Sequence, residues 1–555
     1  MKLAIRHQMS YDYERFDWME NRILIQLSLN EEEKPMYSWK TRMAKTAATV
    51  LAGALALSGC GGGTGTTNAK GGPSVADTIT AQVAYSSRDF NPLSTSMALP
   101  MAGNWHVTEA LYTLQMSDYS LVSGLAAGEP EKISDTEYVI TIRDGAKFSD
   151  GNAVTANDVK TSFERVMAPG GVYAPMLSFI DSITAQGDNK IDFKLKYAFT
   201  LFKERMSLVH IVPASQSDAD LKKMPIGSGP WKYVEITDQQ VKFDKNEYYN
   251  GEFPAQVSHM VWNVNVDDTA RVTAMQNGKS DIMENVPAKA FDTLKAAGAD
   301  IETVDGFNQA FIMFNTKQKP FDDKRVRQAV FYAIDTESMI KNQLSGEANM
   351  VTGFMPESFK AYHKASNVYT YNPEKAKELL KEAGVSEGVK FTLYTTDQTW
   401  ITQLAPQIKN NLDAIGFNVD IQSMKSSALF PTITDKDDAD FSMVLGPGDP
   451  TVFGNDPDVL LNWWFGDTVW TKQRMFWNGS DGYNKLHELM DKAARSSGDE
   501  QQSYWNECFD LLSDELPMYP LFHRKLSTAV KKNVFSSYTP IGTTGLYFLN
   551  SKLNG

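Results

Sequence analysis

The sequence predicts an α/β protein built in at least two lobes. Along the second half of the chain, apolar residues alternate between a period of two and a period near four. That pattern places strands and helices in succession. About 500 residues follow Cys60, more than one hydrophobic core supports, so the folded part divides. No segment recurs at a spacing of about 20–50 residues, which excludes solenoids and propellers.

Ahead of the folded part lies a leader. Lys40, Arg42 and Lys45 precede an apolar stretch, residues 47–57, and then Leu57-Ser58-Gly59-Cys60. A basic flank, a short apolar core and small residues at a cleavage point make a secretory signal. The core is shorter than the roughly 20 residues that a membrane span needs. The four residues ending in Cys60 resemble a bacterial lipobox. That resemblance implies a lipid on Cys60, a mature chain beginning there, and a protein anchored to the outer face of the cell membrane. Residues 1–59 are therefore read as signal peptide, with 1–35 as an upstream over-extension before Met36 or Met43. Residues 60–76 are rich in Gly and Thr and read as a tether.

The strand Thr78-Ile79-Thr80-Ala81-Gln82-Val83-Ala84-Tyr85 opens the folded part, and residues 137–143 alternate in the same way. Asp144-Gly145 and Asp150-Gly151 are turn pairs, because Gly accepts positive φ and Asp bonds nearby backbone. Thr155 caps a helix with Asp158 three residues on, and Val159, Phe163 and Val166 form its inner face. Residues 191–195 make another strand. Asp322 or Asp323 caps a helix with Val326, Val330 and Ala333 inward. Asn372-Pro373 starts a helix that buries Leu379 and Leu380 and stops at Gly384. A strand at 391–394 follows. Ile401, Leu404, Ile408, Leu412 and Ile415 share one helix face that ends at Gly416, and residues 417–421 are a strand. Strand, helix and strand within about 30 residues form a βαβ unit.

The formal charge is −14, and Lys and Arg cluster nowhere outside the leader, which argues against nucleic acid as a partner. If Cys60 carries lipid, Cys508 is a lone thiol, read as a small core residue. No hydrolase, phosphate-binding or dinucleotide motif is present, and the histidines lack metal-ligand spacing. No catalytic residue, metal or cofactor is expected.

Four segments carry a family resemblance. Residues 138–165 run Tyr-Val-Ile-Thr-Ile-Arg-Asp-Gly-Ala-Lys-Phe-Ser-Asp-Gly and on to Thr155-Ala156-Asn157-Asp158-Val159. Pro225-Ile226-Gly227-Ser228-Gly229-Pro230-Trp231 is the second. Phe314-Asn315-Thr316 with Pro320-Phe321-Asp322-Asp323-Lys324-Arg325-Val326-Arg327 is the third, and Tyr371-Asn372-Pro373 the fourth. Their order and spacing resemble the solute-binding proteins of the oligopeptide, dipeptide and nickel ABC importers. The resemblance implies a two-lobed periplasmic-binding-protein-like α/β fold with an inserted domain and a ligand cleft between the lobes. It implies lobe I from 77–105, 223–305 and 526–555, domain II at 106–222 and lobe II at 306–525. It also implies a monomer that captures a peptide-like solute and delivers it to ABC permease subunits. Oligosaccharide or a metal chelate is the alternative ligand, and a cell-surface hydrolase the alternative function.

Within that resemblance Asp158 and Asp322 are expected to cap helices, and Arg325 and Arg327 to be surface or ion-pair residues. Peptide-binding members carry an aspartate that pairs with the ligand's ammonium, four residues before a conserved-type proline. That position is Gly446 here, counted back from Pro450. Asp449 takes over the pairing, or the ligand has no ammonium, or Asp449 only shapes the turn. Gly448, Phe453, Trp105, Trp400, Trp463, Trp464 and Phe307 complete the candidate ligand wall, with two tryptophans expected at the cleft.

Overall fold

The structure is a computed structural model that describes residues 77–554. The leader, Cys60 and the tether lie outside the described residues. No described helix is long and apolar enough to cross a membrane.

One mixed sheet of eleven strands organises the molecule. Two long antiparallel strands, Ala299–Phe314 and Met518–Lys531, run through its centre. Beside the second half of Ala299–Phe314 lie Met443–Gly448, Val389–Thr396 and Phe417–Met424, on one side of the crossing pair. Beside the second half of Met518–Lys531 lie Ile282–Met283, Thr78–Val83, His259–Val264, Gln240–Lys245 and Trp231–Ile236, on the other. The crossing strands lose register between Asp305 and Gln309. A bulge of this kind leaves residues unpaired and bends the strand. Gly306 sits in it, where a Cβ would stand 2.0 Å from the Gly542 carbonyl oxygen, so only glycine lets the C-terminal segment pass this close.

A separate antiparallel sheet contains Glu131–Ser134, Glu137–Thr141, Lys190–Leu195 and Ile180–Gln186. Helix Ala156–Val166 packs on it through Val159, Phe163 and Val166, all buried. The Thr155–Asp158 capping box forms in both directions, at 3.3 and 2.9 Å. Arg205, in the helix Phe202–Arg205, ties this body to the helix Pro457–Phe465. It reaches Asp456 at 2.6 Å and Asp458 at 2.7 Å, and its own side chain is almost wholly buried.

Local expectations meet three differences. Asp323, not Asp322, caps the helix Lys324–Ala333, its side chain accepting from the Arg325 N–H. Arg325 is an exposed ion-pair residue, and Arg327 pairs with Glu515 at 3.5 Å but is buried rather than on the surface, also donating to the carbonyls of Phe321 and Glu515. The apolar face from Ile401 to Ile415 is buried as expected, yet it divides between Thr399–Thr402 and Ala405–Asp413. Pro406 lacks the N–H that a continuous helix would use there. The flanking strands Val389–Thr396 and Phe417–Met424 pair in parallel, completing the βαβ unit. Cys508 is buried in the helix Gly498–Glu515.

Candidate functional site

The bulge brings a polar chain together where the two lobes join. Arg524 Nη2 donates to Asn285 Oδ1 at 3.0 Å, and Nη1 approaches Asn308 Oδ1 at 3.4 Å. Asn308 Nδ2 donates to Thr544 Oγ1 at 3.2 Å. Thr544 in turn donates its N–H and its hydroxyl to Asp449 Oδ2, at 2.7 and 2.8 Å. Asn285 follows the strand Ile282–Met283, Asn308 and Arg524 sit on the crossing strands, and Asp449 follows Met443–Gly448. Elements on both sides of the crossing strands therefore contribute.

Arg524 is the cation in this chain of contacts. The face of Trp400 covers it, with the guanidinium carbon 4.2 Å from the ring centroid, close enough for a cation–π interaction. Among the described residues, no carboxylate lies within ion-pairing distance of it. Burial pulls its pKa below the ordinary value, while Tyr85, Asp268 and Asp449 act in the opposite direction. A guanidinium keeps its charge regardless.

Asp449 is differently placed. Its Oδ1 accepts from the Thr451 N–H and hydroxyl, and its Oδ2 from Thr543 and from the two Thr544 donors. These donors fill the roughly four acceptor sites a carboxylate offers. Burial raises its pKa, and the threonine donors oppose that shift. Asp449 thus caps the short helix Pro450–Phe453 and fastens the C-terminal segment. The position expected to carry an ammonium-binding aspartate is Gly446, where a Cβ would stand 2.9 Å from the ring of Phe311. Phe311 occupies the space such a side chain would need.

The aromatic candidates fall into three groups. Trp400 lies against Arg524. Trp105 and Phe453 line a cavity of about 40 Å³ with Met101, Leu114, Tyr173 and Tyr547. Trp463 and Trp464 stand behind it, Trp463 against Phe453 and Trp464 against Phe311 and Trp470. Gly448 admits Trp464, whose ring would lie 2.7 Å from a Cβ there. Phe307 has no exposed surface and packs among Phe354, Phe359 and His523. The expected wall is therefore not one surface.

Two buried polar groups that the sequence did not single out are left without partners near the bulge. Gln309 is fully buried with neither amide atom bonded, and the Tyr119 hydroxyl is also buried and unpaired. That hydroxyl lies beside Thr451 and Thr543 without meeting either in hydrogen-bonding geometry. Leaving a buried polar group unpaired costs about 1–3 kcal/mol.

Comparison with known proteins follows the same architecture. Residues 120–476 match the family described as bacterial extracellular solute-binding proteins, family 5. The glutathione-binding protein GsiB of Salmonella paratyphi A is 26% identical over 459 residues, covering 79% of this chain and 87% of that protein. The dipeptide binding protein of Pseudoalteromonas sp. SM9913, solved with Met-Leu, superposes with a TM-score of 0.76 at 20% identity. It covers 86% of this chain and 100% of its own. Staphylococcus aureus NikA, solved with Ni(L-His)2, gives a TM-score of 0.72 at 18% identity, covering 86% and 100%. The family match spans well over half the chain, and the protein belongs to the bacterial extracellular solute-binding proteins of family 5.

Proposed function

We propose that this protein captures peptide-like solutes between its lobes and delivers them to a membrane permease of an ABC importer. It works as a monomer held to the outer face of the membrane by lipid on Cys60, and it performs no covalent chemistry. Lobe I comprises 77–105, 223–305 and 526–555, domain II 106–222 and lobe II 306–525. The lobes close about the bulge in the crossing strands, a hinge of the ordinary kind.

The observation that carries this reading is the convergence of polar groups from both lobes on that bulge. Asn285, Asn308, Arg524, Thr544 and Asp449 join there. A site built from both lobes gains its full contacts only when they close, which couples solute binding to shape. Relatives named for glutathione and for a dipeptide support a peptide-like solute.

Native mass spectrometry of the protein purified from its own membrane tests the assignment. A retained peptide or peptide-like molecule is expected, and sugars alone would end the peptide reading. For the anchor, Cys60→Ala should move the protein out of the membrane fraction. Unchanged attachment would reject a lipid on Cys60.

A further inference from the structure

The reading above leaves the solute's chemistry open, and Arg524 narrows it. The inference rests on capture of a solute between the lobes, and it concerns what that solute must carry. Three features meet at Arg524. Its two terminal nitrogens face neutral amide oxygens, Asn285 and Asn308, which hold the planar fork without cancelling its charge. Trp400 stacks on one face and fixes its plane. The nearest acid along the chain of contacts, Asp449, is occupied by threonine donors.

Partly withdrawing the Arg524 guanidinium from water without a counter-charge carries a cost that a solute anion would offset. Arg205 shows how this chain meets that cost where the role is structural: two aspartates embrace it. Arg524 has none among the described residues. A guanidinium fork matches a carboxylate through two parallel N–H donors, a geometry that a lysine cannot supply. Filled acceptors on Asp449, and Phe311 in the space beside Gly446, remove the two places where a ligand ammonium would be paired.

We propose that Arg524, stacked on Trp400 and braced by Asn285 and Asn308, is the anchor for a carboxylate of the solute, and that the protein selects its ligands by that negative group rather than by a free amine.

The test uses the protein freed of bound solute by unfolding and refolding. It is offered a mixed-sequence peptide library of two to five residues in two forms, free acids and C-terminal amides, and retained members are identified by mass spectrometry. Wild type should retain free acids about 10- to 100-fold over amides, the range expected for hydrogen bonds to a charged group. N-acetylation should leave retention within about threefold. Arg524→Gln should abolish the preference for acids, and Arg524→Lys should restore part of it. Equal retention of acids and amides by wild type, or an undiminished preference in Arg524→Gln, overturns the proposal. If no peptide binds but the solute that co-purifies carries a carboxylate and is absent from Arg524→Gln, the peptide reading fails and the anchor stands. A co-purified solute without any anionic group overturns the anchor, whichever class it belongs to. A wild-type protein that binds neither library and carries no solute overturns both.

Discussion

Arg205 is almost wholly buried and Arg524 is partly buried, and their surroundings are opposites. Arg205 lies between Asp456 and Asp458, with its charge answered twice by the helix it supports. Arg524 lies between two amides and an indole, with no carboxylate at ion-pairing distance among the described residues. The first arrangement joins two parts of the fold. The second preserves a charge and its orientation while leaving the charge available. The character of the partners therefore distinguishes the two arginines.

The largest expected effect breaks the structural side. Arg205→Met leaves Asp458 buried without its counter-charge and Asp456 without its partner, and should destabilise the protein by about 3–5 kcal/mol in chemical denaturation. A loss below about 1 kcal/mol would mean that the two aspartates are adequately solvated and the clamp is incidental.

A second effect sharpens the functional side through Glu284, which precedes Asn285. Burial lifts this carboxyl to about 7, against the Ala84 N–H that it accepts at 2.5 Å. Between about 4.5 and 7 the folded chain holds a proton that the unfolded chain has released. Stability therefore falls as pH rises through that window. Glu284→Gln should flatten this decline by up to about 3 kcal/mol across the window. An unchanged slope would show that Glu284 is ionised throughout. Glu284 adjoins Asn285, which braces Arg524, so this window reports on the segment that holds the guanidinium.

What the sequence made legible was local. The capping box at Thr155, the Asn372-Pro373 helix start and the βαβ unit rest on residues within a few turns of one another. The break at Pro406 was visible as a proline inside a helical pattern, although the apolar face continued past it. The site was not local. Arg524 meets Asn308 and Asn285 across 216 and 239 residues, and Asn308 meets Thr544 across 236. Nothing in the run His523-Arg524-Lys525 sets its middle member apart from any charged residue on a half-exposed strand. Trp400 stood out by composition, but its partner did not. The departure at Gly446 was readable, whereas its cause, the ring of Phe311, required the sheet register that pairs the two residues.

The contrast between the two arginines is tested most directly by carrying Arg205→Gln and Arg524→Gln through one pair of assays, denaturant unfolding and native mass spectrometry of the bound solute. The account predicts that Arg205→Gln loses several kcal/mol of stability. It predicts that Arg524→Gln unfolds within about 1 kcal/mol of wild type, because an unanswered charge has been removed, and yet carries at least about tenfold less solute. An Arg524→Gln protein that is as unstable as Arg205→Gln and still fully loaded would contradict it.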